Sequence, residues 1–138
     1  MISFVVAGKP QGKARPRFDS RRKITYTPKK TKSYEALVRT SYLTQCRNES
    51  ALCGAVKANI IAYFPVPKSA TKAEREKMLA GELRPTVKPD MDNIIKAILD
   101  ALNGYAYKDD AAVVEVEAEK WYSDTPRVAV ILTDGGTL

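Results

Sequence analysis

Hydrophobic and polar positions alternate with period two over residues 55–64. Val56, Ala58, Ile60, Ala62 and Phe64 fall on one face there, which predicts a half-buried strand ended by Pro65. Shorter apolar or β-branched runs predict further strands at residues 2–7 and 23–27. Over residues 113–121, Val114, Val116 and Ala118 alternate with Glu115, Glu117 and Glu119, the pattern of a strand with one wet face; residues 128–132 read as the last strand. Helical spacing appears in three places. Tyr34, Leu37, Val38, Ser41, Tyr42 and Gln45 predict a helix over residues 34–47, capped by Ser33 or Thr31. Thr71 to Glu74 is a capping-box pattern, and Gly81 ends a short helix so poor in apolar residues that it belongs on the surface. Ile94, Ile95, Ile98, Leu99 and Leu102 form the apolar stripe of a helix over residues 93–103, with Gly104 placed as a C-terminal stop.

The tally is about five strands and about three helices in mixed order, which predicts an α+β (mixed α/β) fold, a mixed sheet with helices packed mainly on one face. At 138 residues the chain is long enough for one core and short for two, so residues 1–138 are expected to form a single domain. The segment from Asp134 through Gly136 reads as a frayed tail. No signal-peptide pattern and no membrane-length apolar stretch occur, which suits a cytoplasmic protein.

Histidine is absent, which excludes histidine triads, histidine–metal sites and histidine general bases. Cys46 and Cys53 lack metal-type spacing and read as reduced, partly buried thiols. Any catalysis must therefore come from carboxylates, lysines or a hard metal. The formal net charge is +7, and the excess is local: residues 9–32 carry Lys9, Lys13, Arg15, Arg17, Arg21, Arg22, Lys23, Lys29, Lys30 and Lys32 against Asp19 alone. Such a segment favours a polyanion. The glycines at 8 and 12 only imitate a phosphate loop, since the spacing is one residue short and Ala14 replaces the required hydroxyl. Residues 8–23 read instead as a flexible basic arm, with Lys13, Arg15, Arg17, Arg21 and Arg22 lying along a phosphate backbone.

The chemistry concentrates in residues 88–113. Asp90 and Asp92 flank Met91 after Pro89, and Asp92, Lys96 and Asp100 share a polar strip beside the apolar stripe of the helix. A second acid pair, Asp109-Asp110, precedes the next strand. An isolated acid pair before a helix ordinarily caps it and offsets its dipole. The added lysine and second acid pair point instead to a hard divalent ion such as Mg²⁺, with Mn²⁺ as a substitute, and to phosphodiester hydrolysis. If the strand at 113 ran back in register, Asp110 would share the face of Val114 and Val116, and Asp109 that of Glu115 and Glu117.

This region resembles the RusA-type endodeoxyribonucleases that resolve Holliday junctions. The resemblance rests on Lys88-Pro89-Asp90-Met91-Asp92-Asn93, Lys96, Asp100-Ala101-Leu102-Asn103-Gly104, Asp109-Asp110 and Val113. Weaker similarity extends to residues 8–18, to Tyr26-Thr27-Pro28, and to Lys120 and Tyr122. It implies Asp90, Asp92 and Asp110 as metal-binding catalytic acids, Lys96 as a catalytic cation, a four-way DNA junction as substrate, and a homodimer. Two-fold symmetry also suits paired cuts. Two other readings compete. A non-catalytic branched-DNA-binding module would use the basic arm alone, its acids serving as helix caps. A small-molecule phosphatase would have little use for so extended a basic surface.

Overall fold

Every second side chain of β4 (Val56–Pro65) is buried, so the strand at the heart of the sheet has the face its alternation predicts. The computed structural model describes residues 1–135. The other sheet strands are β1 (Ile2–Ala7), β5 (Val113–Ser123) and β6 (Arg127–Asp134); a short β2 (Arg17–Asp19) and β3 (Ile24–Tyr26) form a separate hairpin. The helices are α1 (Lys29–Gln45), α2 (Lys72–Leu79) and α3 (Met91–Leu102).

The main sheet has the order β1-β6-β4-β5, with β4 and β5 parallel and the remaining pairs antiparallel. Residues 124–126 carry the chain from one edge strand past β4, so β5 and β6, though consecutive, do not pair. Side chains of β1, β4 and β6 on one face (Phe4, Ile60 and Val130 among them) form a single core with Tyr34, Val38 and Tyr42 of α1 and Ile94, Ile98 and Leu102 of α3. The mixed sheet with helices on one face is the expected architecture. α2 buries no side chain and starts with the expected capping box at Thr71 and Glu74.

Several local expectations give way. α1 begins at Lys29, with Pro28 at its N-cap, so neither Ser33 nor Thr31 caps it; Thr31 is buried inside the first turn. Its polar first turn hid the helix start from a reading of apolar spacing. The basic arm is not free: residues 17–26 fold into the β2–β3 hairpin, and Asp19 Oδ1 accepts the amides of Arg21 (2.9 Å) and Arg22 (3.3 Å). Neither face of β5 is dry at its start, where Val114 and Val116 are exposed beside the glutamates, because β5 is an edge strand. Residues 110–112 form a 3₁₀ turn (Asp110–Ala112), which removes the register argument that placed Asp110 on a strand face. Asp134 belongs to β6 and the Gly135 amide bonds to Ala55 (3.0 Å), so the expected fray does not begin there; Gly136 lies outside the described residues. Cys46 is buried and Cys53 exposed, both as free thiols.

Candidate nuclease site at the ends of helix α3

Helix α3 owes its position to its apolar stripe, and three ties fix its N-terminal end. Lys120, reaching from β5, donates to the carbonyls of Val87 (2.7 Å) and Pro89 (3.1 Å), across a cis Lys88–Pro89 peptide. The Lys13 amide donates to the Asn93 carbonyl (2.9 Å). Gly12 lies so close that a Cβ there would sit 2.9 Å from the Cβ atoms of both Asn93 and Pro89. Only glycine allows that approach without displacing the loop.

Asp90 occupies the N-cap of α3, and its carbonyl accepts the Ile94 amide (3.1 Å), but its side chain makes no capping bond. Asp92, in the first turn, is exposed and forms no hydrogen bond or ion pair with another described residue. Lys96 pairs with Asp100 (3.3 Å), one turn further on, rather than with Asp92. Asp100 is shared, because Lys13 Nζ lies 3.5 Å from the same Oδ2 and also contacts Glu35 of α1. Burial opposes the Lys13 charge, but the Glu35 and Asp100 carboxylates outweigh it and hold the ammonium above its ordinary value.

The chain after α3 is pinned back under the helix. Tyr107 is buried and its hydroxyl donates to the Leu99 carbonyl (2.6 Å), while the Leu52 amide bonds to the Ala106 carbonyl (2.8 Å). This return brings the Asp109-Asp110 pair alongside α3. Asp109 Oδ1 accepts the Ala111 amide (3.3 Å), capping the 3₁₀ turn, and that bond holds its carboxyl below the usual range. Asp110 moves the other way: a hydrogen bond with Asp109 raises it most, then burial and the charges of Asp109 and Asp100, with Lys96 opposing. Asp109 is thus occupied by its own turn, and Asp110, bonded to Asp109, also feels the charges of Asp100 and Lys96.

The structure therefore gathers Lys96, Asp100 and Asp110 with Lys13, and sets Asp90 and Asp92 at the start of the same helix. Among the described residues no three carboxylate, histidine or cysteine side chains form a ready cage for a metal. The donor chemistry nevertheless suits a hard divalent cation. The available ligands are carboxylate oxygens without imidazole or thiolate, Asp90 and Asp92 have unspent side chains, and Asp110 carries a repulsion that a cation would relieve.

The predicted DNA-contacting residues separate into two groups. Arg15, Arg17, Arg21 and Arg22 are exposed on the hairpin and the segment leading to it. Lys13 is not, since its side chain is 15% exposed and its charge is engaged by two carboxylates. Glu35 and Gly12 were not legible as site residues, and the one available signal, a glycine just before a lysine in a basic run, has no distinct pattern of its own.

The fold and charge layout define a small mixed α/β protein with acids at both ends of one helix and a basic hairpin. The chain belongs to the RusA endodeoxyribonuclease family: the family described as Endodeoxyribonuclease RusA matches residues 7–133. It is also similar to the Uncharacterized protein YqaN of Bacillus subtilis (strain 168), with 39% identity over 137 residues and 96% of each chain covered. Among the described residues, no helix is long and apolar enough to cross a membrane.

Proposed function

We propose that the protein is a Mg²⁺-dependent, structure-selective endodeoxyribonuclease that resolves four-way DNA junctions by paired, symmetric cuts in the cytoplasm, working as a homodimer. The observation that carries this reading is the state of the acids. Asp90 sits at a cap without capping, Asp92 pairs with no other described residue, and Asp110, hydrogen-bonded to Asp109, lies close enough to Asp100 and Lys96 to feel both charges. Side chains serving only as helix caps would be spent on backbone amides.

In this reading Asp90, Asp92 and Asp110 hold the metal, which supplies Lewis-acid polarisation of the phosphate and a more acidic water. Asp92 and Lys96 lie on one helical face, so a phosphate approaching the start of α3 meets both an acid and a cation. Lys96 stabilises negative charge developing on the phosphoryl oxygens, and Asp100 restrains it. Arg15, Arg17, Arg21 and Arg22 hold the DNA backbone without reading bases, whereas Lys13 positions Asp100. Paired cuts require two such sites related by two-fold symmetry.

The test compares wild type with Asp92→Asn and Asp110→Asn. Cleavage should need both Mg²⁺ and the carboxylates, while both variants still bind junction DNA, because they remove negative charge near phosphates. Tight binding with no cleavage by the wild type under Mg²⁺ or Mn²⁺ would favour the non-catalytic module.

A further inference from the structure

A cavity of about 610 Å³ opens beside Asp90, between the loop before β2, the start of α1 and the Lys88–Pro89 segment. Five cations line it, Lys9, Lys13, Arg17, Lys30 and Lys88, against the single carboxylate of Asp90. Lys13 is engaged by Glu35 and Asp100, but the other four form no ion pair among the described residues. Four unneutralised cations around one cleft repel each other, and the loop that carries Lys9 and Lys13 is fixed against α3 by the close approach of Gly12 and the Lys13–Asn93 backbone bond.

The start of α1 adds to the same field. Pro28 at the N-cap offers no side-chain acceptor, and the first turn contains no acid. Lys29, Lys30 and Lys32 stand there instead, against the helix dipole. Thr31 Oγ1 is already used by the Ala14 amide (3.2 Å). The amides of Lys29, Lys30 and Thr31 have no acceptor among the described residues. One turn into the helix, Tyr34 is buried, and its hydroxyl lies beside the backbone of Gln11, a residue that lines the cavity. Cations, unfilled helix amides and a cleft of ligand size call for one group, an anion with several acceptor oxygens.

We infer that this cleft is a phosphate subsite formed by Lys9, Arg17, Lys30 and Lys88 with the first-turn amides of α1, and that it holds a backbone phosphate of the DNA strand adjacent to the one cut. This assignment rests on the nuclease reading for its substrate, because Asp90 joins the cleft to the acids. The subsite supplies affinity and register; the reacting phosphate stays with the carboxylates and Lys96.

The double variant Lys30→Gln/Lys88→Gln tests it, with Lys68→Gln as a control remote from the cleft. Junction binding is measured in EDTA across a salt series, and single-turnover cleavage at saturating DNA is measured in Mg²⁺. The double variant should weaken binding about tenfold and flatten the salt slope by about one phosphate contact. Lys68→Gln should change none of these. Unchanged affinity and salt slope would overturn the subsite, whether or not the wild type cleaves. Failure of the wild type to cleave, with the binding effect intact, would instead overturn the nuclease reading alone. A further arm titrates inorganic phosphate at constant ionic strength while following the Lys30 and Thr31 amide resonances. Shifts lost in the double variant, together with unaltered DNA binding, would identify free phosphate as the ligand and overturn the DNA assignment.

Discussion

Replacing Lys13 with methionine keeps the stem of the side chain and the amide that bonds to Asn93, and removes only the ammonium. The group lost is one that Glu35 and Asp100 both contact, in a site where the three side chains are 15%, 16% and 21% exposed. A charge-assisted hydrogen bond at a part-buried site contributes about 1.5–3 kcal/mol. The longer contact to Asp100, 3.5 Å, adds under about 1 kcal/mol. The expected loss is therefore about 2–3 kcal/mol, or roughly 6–15 °C in Tm for a domain of this size. Urea unfolding should show a lower midpoint at unchanged slope, and the Lys13→Met/Glu35→Gln cycle should give a coupling of about 1.5 kcal/mol. The raised Lys13 pKa sets the pH limits of this contribution: it is fully present below about pH 10.5 and is lost as pH rises through the elevated folded value. Arg15→Gln and Arg17→Gln should leave stability within about 0.5 kcal/mol of wild type while weakening DNA binding. A loss for Lys13→Met under about 0.5 kcal/mol would refute the structural role and return Lys13 to the basic surface.

Three other outcomes follow from the same geometry. Gly12→Ala forces its new methyl group against Asn93 and Pro89, so it should cost about 1–3 kcal/mol and lower cleavage, both read from unfolding and turnover of one preparation. Lys96→Ala should reduce the single-turnover rate on the order of 10²–10³-fold with little change in affinity; a proportional loss of binding would make Lys96 a DNA contact instead. Burial pushes the Tyr34 phenol up to about 12, and Tyr107 is also raised, first by burial and then by Asp110 and Asp100. Both phenols favour the neutral folded form, so stability is complete below about pH 10 and falls as pH rises above it. Absorbance titration should show these phenols ionising last, together with unfolding; their ionisation near pH 10 in an intact fold would contradict the packing.

Much of this fold was legible because it depends on strong periodicity. The alternation of β4 buries every residue that its spacing selects, and the stripe of α3 buries Ile94, Ile98 and Leu102 with Ile95 and Leu99 partly buried beside them. What escaped has specific causes. The first turn of α1 is made of lysines around a buried threonine, so nothing apolar marks it. Of the hairpin, β3 lies within the strand expected at residues 23–27, whereas the three-residue β2 has no buried side chain and leaves no alternation to read. Asp90, Asp92 and Lys96 could be singled out only through their combination with a second acid pair, and Asp110 was preferred to Asp109 through the family resemblance and an assumed strand register. The Lys13–Glu35–Asp100 network could not, because it joins three elements distant in sequence through side chains that look like ordinary surface charges. The register argument for Asp110 failed because a 3₁₀ turn, which engages the Asp109 carboxylate through the Ala111 amide, stands where the strand was assumed to run.

The most direct measurement is cleavage of an end-labelled synthetic four-way junction and a matched linear duplex, mapped to nucleotide resolution in Mg²⁺. Symmetric cuts in opposing strands of the junction, with the duplex left whole and with no product from Asp92→Asn, are the predicted result. Equal cutting of both substrates, or junction cutting that survives Asp92→Asn, would contradict a structure-selective nuclease centred on these acids.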